Sequence, residues 1–239
     1  MKRILAYKLA KPDGFDFYTG KTINYRENIG KIVKPPNARP ELGLCSNGVI
    51  HASKHPNDCF VGAKIPCSAY RVSGIPVCGD VKKWGFTELK VIRELTDLDK
   101  LFGWRYTEAI NPINPFNLPK VEIITEEHLA SLKFWDSVRG SVWDLVWASV
   151  GGSVWASVGA SVRDLVGASV RASVGAYIGS LFPNIKKWKY VKCEPSKYPY
   201  QPAVDLWKAG LVPSFDGKIW RLHSGIKAEI IWEGIRKEG

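Results

Sequence analysis

Hydrophobic and polar residues alternate in several short segments of the first 95 residues, which is the pattern of half-buried β-strands. Ser68–Gly74 alternates most regularly, and Ile4–Leu9, Gly48–Ala52 and Thr87–Leu95 are predicted to be strands as well. Lys54–Phe60 contains Pro and Asn, which favour a short helical turn between two of these strands. The N-terminal part is therefore predicted to be a β-rich domain.

The pattern changes after residue 110. Residues 111–120 contain three prolines and three asparagines, a composition typical of a linker. A helix is predicted to begin after Thr125, whose hydroxyl can cap its first turn. The predicted organisation is a β-rich domain over 1–110, a linker over 111–124, a helix entry with a repeat over 125–182, and a basic, Trp-rich C-terminal region over 183–239.

A tetrapeptide repeat occupies residues 137–182, with valine at every fourth position from Val138 to Val174. In a helix this spacing forms a ridge along one side, and a break at Gly151-Gly152 predicts two antiparallel helices, about 126–150 and 153–182. The hydrophobic positions of the repeat also alternate with a period of two, and its valine, serine and glycine residues are poor helix formers, which favours β-strands. A helical hairpin is the preferred interpretation, and a β-solenoid is the alternative.

The C-terminal region has a local pattern of its own. Ala203–Gly210 predicts a short helix with a glycine cap, and Lys218–His223 with Ala228–Trp232 predicts a β-hairpin. The predicted fold class is therefore α+β, with a β-rich N-terminal domain, a repeat segment, and a small C-terminal helix plus hairpin.

The formal charge of +11 lies mainly in the two flanks of the repeat. A basic surface suits nucleic acid, although a lysine-rich solvated surface has the same composition. The candidate base-stacking and phosphate-binding residues are Trp188, Tyr190, Tyr198, Trp220 and Arg221. The chain contains one Met and one Gln, Gln201. Such a scarcity of thermolabile residues is typical of proteins from thermophiles.

Targeting signals are not evident in the sequence. Lysines and an aspartate follow the first six residues, so no secretory signal is predicted. Residues 145–162 carry no charge, but their serines and glycines make a membrane span unlikely. A cytoplasmic or virion-associated protein is expected.

None of the five cysteines belongs to a CxxC pair. Cys45, His51, His55 and Cys59 lie within fifteen residues and are the candidate metal ligands. Burial of these thiols in a β-rich core is the preferred interpretation, and no cofactor is predicted.

The segment Leu44–Asp58 reads LCSNGVIHASKHPND. It resembles the LC-x-NG-aromatic-H and NP-x-D motifs of a domain of unknown function from phage and bacterial proteins. The likeness covers about residues 3–95, with one extra residue between Gly48 and His51, and with His55 where that family has Asn. The resemblance implies no known activity, and it implies that a repetitive, solenoid-like segment follows.

No GxSxG, P-loop or HExxH motif is present. The strand order is also similar to that of ADP-ribosyltransferases, in which a glutamate on a late strand orients the ribose. Glu88 matches that position, whereas Tyr7-Lys8-Leu9 stands where that family has His-Gly or Arg. His51 and Glu88 are the candidate catalytic residues.

These observations favour a non-enzymatic structural or interaction protein of phage or mobile-element type. The repeat would serve packing, adhesion or self-assembly, with a second copy of the chain as the partner. One alternative is a nucleic-acid-binding protein that uses the basic flanks and their aromatic residues. A further alternative is a degenerate ADP-ribosyltransferase-like domain.

Overall fold

The structure is a computed structural model that describes residues 2–44, 46–138, 155–167, 170–183 and 197–235. The chain divides into two compact units, unit 1 (Met1–Phe102) and unit 2 (Gly103–Gly239). Unit 1 is built mainly of β-strands, and unit 2 combines helices with a small sheet. The predicted α+β class and the predicted β-rich N-terminal region are therefore confirmed.

The strands of unit 1 form a single antiparallel sheet. They are β1 (Ile4–Ala10), β2 (Ile32–Val33), β3 (Ile50–Ser53), β4 (Ser68–Gly74), β5 (Cys78–Gly79), β6 (Lys83–Phe86) and β7 (Leu89–Leu95). Their order in the sheet is β2-β7-β4-β1-β3-β6-β5. β1 pairs with β4 along its whole length, from Ile4 opposite Gly74 to Ala10 opposite Ser68. The strands predicted from alternation are observed as β1, β3, β4 and β7.

One face of this sheet carries the core of unit 1, because successive strand residues point to opposite faces. On β1, Ala6 and Ala10 are completely buried, while Leu5 is 54% exposed. The core cluster consists of Ala6, Ala10, Ile23, Tyr25, Val33, Ile50, Ala52, Tyr70, Val72, Phe86, Leu89 and Val91. Aromatic residues give it much of its volume, and the rings of Tyr25 and Tyr70 lie 5.7 Å apart.

Besides a 3-10 turn at Pro40–Leu42, two short helical segments complete unit 1. A 3-10 helix, Pro56–Val61, contacts β1 and β3 and corresponds to the helical turn predicted over Lys54–Phe60. Helix α1 (Leu98–Phe102) packs against it, with the rings of Phe60 and Phe102 5.1 Å apart. The amide of Asn57 also donates to the carbonyl of Phe102 over 2.9 Å.

Unit 2 contains the remaining helices and a second sheet. The helices are α2 (Tyr106–Ile110), α3 (Glu126–Val138), α4 (Ala160–Val166), α5 (Arg171–Ser180) and α6 (Gln201–Lys208). A π-helical turn, Trp155–Gly159, leads into α4. The strands are β8 (Val212–Phe215), β9 (Ile219–Ser224) and β10 (Glu229–Ile235), in the order β10-β9-β8. The predicted C-terminal helix and hairpin are observed as α6 and β9–β10, and β8 is a third strand that pairs with β9.

The described part of the repeat, residues 137–138, 155–167 and 170–182, contains helices and no strand. Four of its second-position valines are buried: Val158 is 4% exposed, and Val162, Val170 and Val174 are 0% exposed, whereas Val166 at the end of α4 is half-buried. Residues four apart lie on the same side of a helix, so these four valines face the interior of unit 2. The predicted break at Gly151-Gly152 lies outside the described residues.

The two units divide at residue 102, whereas the sequence predicted a boundary at residue 110. Helix α2 belongs to unit 2, where the N–H of Arg105 donates to the carbonyl of Leu181 over 2.9 Å. The predicted linker also packs within unit 2, because Phe116 is 2% exposed and Ile113 hydrogen-bonds through its N–H to the hydroxyl of Tyr177 at 2.9 Å. Residues 111–120 are therefore part of the folded unit.

Candidate functional site

A cavity of about 390 Å³ lies in unit 1 beside β1, β3 and the 3-10 helix. Its charged and polar lining comes from Lys8, Asp16, His51, Ser53, Asp58 and Lys83. Phe17 and Tyr18 add aromatic surface, and the side chain of Tyr18 is 69% exposed. The volume falls within the range of small-molecule sites, about 300–1,000 Å³.

A buried ion pair joins the sheet to the loop that lines this cavity. The ammonium of Lys8 lies 2.6 Å from Oδ2 of Asp16, and the two side chains are 10% and 9% exposed. Lys8 points to the same face of β1 as the buried Ala6 and Ala10. It therefore occupies a position on the packed face where an apolar residue would be usual. The ammonium also lies 5.3 Å from the centre of the Tyr25 ring.

Asp16 is held by several donors. The N–H groups of Tyr18 and Thr19 donate to Oδ1 over 2.8 and 3.2 Å, and the hydroxyl of Tyr25 donates to Oδ2 over 3.3 Å. Burial alone would raise the pKa of this carboxyl, but the ammonium of Lys8 and the two N–H donors lower it below its ordinary value. Asp16 is therefore ionised at neutral pH, and it fixes the loop that carries Phe17 and Tyr18.

His51 contributes a neutral imidazole to the cavity. Burial and the positive charges of Lys8 and Lys83 together lower its pKa to about 4, and burial is the largest of these causes. At neutral pH the ring therefore offers one N–H donor and one nitrogen acceptor. This suits it to hydrogen-bond a polar ligand without adding charge to the site.

The protonation of His51 gives a testable pH dependence. We expect its NMR titration midpoint to lie near pH 4, well below the ordinary value of 6.5. Between these two pH values the unfolded chain binds a proton that the folded chain does not, so the free energy of unfolding falls as the pH is lowered. His51→Gln should remove this part of the acid sensitivity. A midpoint near 6.5, or an unchanged pH profile in the variant, would contradict the assignment.

Cys59 lies on the 3-10 helix at the cavity wall. Its Sγ donates to the carbonyl of Tyr7 on β1 over 3.3 Å. Burial raises the pKa of this thiol, so it is protonated at neutral pH and poorly suited to nucleophilic chemistry. Its contribution to the site is a fixed apolar wall.

The four predicted metal ligands are not all brought together. His51 and Cys59 both line the cavity, but His55 is exposed at the start of the 3-10 helix and does not line it. Cys45 lies outside the described residues. Within the described ranges, no group of three or more His, Cys, Asp and Glu side chains is arranged to hold a metal ion.

The two predicted catalytic residues occupy different places. His51 lines the cavity, whereas Glu88 precedes β7 and does not belong to the lining. The carboxylate of Glu88 lies 3.4 Å from the ammonium of Lys34, and the two side chains are 43% and 66% exposed. An acid that orients a ribose would have to face the bound ligand, and Glu88 is paired elsewhere.

The predicted binding residues of the C-terminal region are largely used inside unit 2. Trp220 is 6% exposed, and its ring lies 4.8 Å from that of Phe215. Tyr198 donates through its hydroxyl to the carbonyl of Ala176 over 2.5 Å. Two acidic partners hold Arg221, with Asp216 at 2.7 Å and Glu233 at 2.6 Å. Trp188 and Tyr190 lie outside the described residues.

Sequence reasoning missed Lys8, Asp16 and Lys83. Lys8 did leave a signal, because it is a charged residue at the inward position between Ala6 and Ala10 of an alternating strand. A buried cation needs a partner, so this pattern points to an acid nearby in the fold. No local pattern identified Asp16 as the partner of Lys8, and none identified Lys83 as a residue that lines the cavity.

Comparison with protein-family models, curated proteins and solved structures gave no match to this chain. In the described ranges, no helix combines the length and apolar character needed to cross a bilayer.

Proposed function

We propose that this chain is a non-enzymatic binding protein, and that unit 1 takes a small polar molecule into the cavity beside β1 and β3. The observation that carries this proposal is the buried Lys8–Asp16 pair at 2.6 Å in the cavity wall. Burying two charges is costly even when they are paired. A chain that needed only a stable sheet would be served as well by apolar residues at these positions.

The charges of the cavity indicate the class of ligand. Two lysines, Lys8 and Lys83, balance two carboxylates, Asp16 and Asp58, and His51 is neutral at neutral pH. A ligand of low net charge that offers both donors and acceptors fits this lining better than a strongly charged one. Tyr18 at the rim supplies an exposed ring that can cover an apolar part of such a molecule.

The repeat is assigned a packing role in this proposal. Burial of Val158, Val162, Val170 and Val174 supports use of the valine ridge inside unit 2. Self-assembly through the repeat remains a proposal, and it would have to use other positions, such as Leu165, which is 51% exposed. The ADP-ribosyltransferase alternative is less favoured, because Glu88 is paired with Lys34 away from the cavity lining.

Ligand-observed NMR with a panel of nucleosides, sugars and amino acids tests the cavity. Gly62→Phe places a ring at a lining position where a Cβ meets no atom within 4 Å, so it should narrow the cavity without a backbone clash. Tyr18→Ala should weaken binding by about 1 kcal/mol, because it removes a ring at the rim.

Lys21→Phe is the matched control, since Lys21 is exposed and does not line the cavity. We expect members of the panel to bind the original chain and the Lys21→Phe variant, and to lose saturation transfer with Gly62→Phe. The proposal fails if no compound binds, or if Gly62→Phe and Lys21→Phe bind the panel equally.

A further inference from the structure

A second surface of unit 1 is formed by the sheet face opposite the core. The strand register places Tyr7, Arg71 and Arg93 in one row across β1, β4 and β7. It places Leu5, Ser73, Lys90 and Ile32 in the next row, which extends to β2. Residues directly opposite each other on neighbouring strands point to the same face. We call the surface formed by these two rows the basic sheet face.

The cations of this face have no acidic partner among the described residues. Arg71, Lys90 and Arg93 make no ion pair within 4.0 Å there. The acidic residues next to this part of β7 are engaged elsewhere, Glu88 with Lys34 and Glu94 with Arg26. Arg3 adds a further guanidinium next to the second row, where it donates to the carbonyl of Ser73 over 3.4 Å.

Arg71 and Arg93 lie directly opposite each other on β4 and β7. Like charges in this position destabilise an antiparallel sheet, so their pairing is a cost that an anionic partner would remove. The guanidinium of Arg71 lies 4.2 Å from the centre of the Tyr7 ring. This cation–π contact keeps the guanidinium close to the Tyr7 ring, on the face where the phosphate of a ligand can reach it.

Apolar side chains lie among these cations. Leu5 is 54% exposed, Ile32 is 52% exposed, and Ile92, beside Arg93 on β7, is 37% exposed. A polyanion that offers charge alone would leave these side chains in water. A partner with both phosphates and flat apolar rings would cover them while its phosphates meet the arginines and lysine.

We propose that the basic sheet face binds single-stranded nucleic acid. Phosphates meet Arg71, Lys90 and Arg93, and unstacked bases cover the exposed Leu5 and Ile32. A duplex presents its phosphates but keeps its bases stacked inside, so it would leave the apolar side chains uncovered. A second copy of this face would bring like charges together, which argues against a symmetric dimer through it.

Fluorescence anisotropy with labelled oligothymidylate and oligouridylate of about 20 nucleotides tests this proposal on the full chain. We expect the double variant Lys90→Gln/Arg93→Gln to lose about tenfold in affinity, since both side chains are exposed and each would meet a phosphate. The slope of log K against log salt should become shallower by about 1.4, the value for two lost phosphate contacts to a single strand. Arg71→Gln is a second, independent variant.

The control removes the same charge elsewhere on unit 1. Lys21→Gln/Lys64→Gln alters two exposed lysines that do not belong to the face, and it should change the affinity less than about twofold. Equal losses in the two double variants would overturn the proposal, because binding would then follow net charge alone. Tighter binding of a duplex, or binding only to phosphatidylserine vesicles and to neither oligonucleotide, would overturn it as well.

Discussion

Asp16→Asn should lower the free energy of unfolding of unit 1 by about 3 kcal/mol, because it leaves the ammonium of Lys8 buried without a counter-ion. The two side chains are 10% and 9% exposed, so water can replace little of the lost interaction. Hydrogen exchange of the amides in β1 and β4, followed by mass spectrometry, measures this loss for unit 1 by itself. The loop that carries Phe17 and Tyr18 should exchange faster as well, since the neutral amide oxygen of Asn accepts from the N–H groups of this loop more weakly than the carboxylate does.

Two further variants test whether the loss of stability comes from the Lys8–Asp16 ion pair itself. Asp13→Asn changes an exposed acid in the same loop, and it should alter the stability by less than about 0.5 kcal/mol. Lys8→Met/Asp16→Leu replaces both charges by apolar groups and should recover most of the stability lost in Asp16→Asn. If Asp16→Asn were as stable as Asp13→Asn, the ion pair would have no structural role.

The same ion pair makes unit 1 sensitive to acid. The pKa of Asp16 is lower in the folded chain than in the unfolded chain, despite the opposing effect of burial. Its contribution to stability is therefore complete above the unfolded pKa and is lost as the pH falls through the folded one. This loss begins near pH 4, the ordinary range of an aspartate, below the window assigned to His51.

Trp207→Ala should destabilise unit 2 by about 3–5 kcal/mol, the cost of removing a fully buried aromatic side chain. Trp207 is 0% exposed, and its ring stacks on Tyr177 at 5.4 Å with an interplanar angle of 14°. Its Nε1–H donates to the carbonyl of Ile113 over 2.8 Å. The substitution therefore removes the contact that joins α6, the repeat helix α5 and residues 111–120.

Hydrogen exchange of peptides from α5 and α6 measures this effect. Trp207→Phe keeps an aromatic ring against Tyr177 but removes the indole donor, so it should cost about 1–2 kcal/mol for the unsatisfied carbonyl of Ile113. A loss in Trp207→Ala no larger than in Trp207→Phe would show that the stacked ring contributes little. Protection of β1 and β4 serves as an internal control, because these strands belong to the other unit.

The fold was predictable where a local pattern determines the structure. Ser68–Gly74 was predicted from its apolar and polar residues and its closing glycine, and it is the strand β4 with the predicted bounds. The strands β2 and β5 have two residues each, too few for a period to be visible. β2 exists because a distant strand pairs with it, as Lys90 pairs with Ile32, and β5 exists because β6 folds back on it, as Gly85 pairs with Cys78.

The predicted linker, residues 111–120, is a second case in which contacts with distant residues determine the structure. The prolines and asparagines of residues 111–120 have the local composition of an exposed connection. Their burial depends on Tyr177 and Trp207, which lie 64 and 94 residues further along the chain from Ile113. Composition cannot detect such contacts.

The candidate site was predictable in part. His51 and Cys59 were singled out by their closeness in sequence, and both line the cavity. Asp16 and Lys83 reach it from separate elements, so only the sheet topology brings them to His51. For Tyr198 and Trp220, an aromatic and basic composition suggested a binding surface, but the same residue types fill the core of unit 2.

The packing of the repeat limits how the number of its units can change. One more unit of four residues would advance an α-helix by about 6 Å and rotate it by about 40° beyond a full turn. Inserted between Val162 and Val174, it would move one buried ridge relative to the other, and it would displace Tyr177 from Trp207. Gly179 is restricted too, since a Cβ there would meet the hydroxyl of Tyr198. Natural length variants of this chain should therefore keep the units from Trp155 onward constant in number and register.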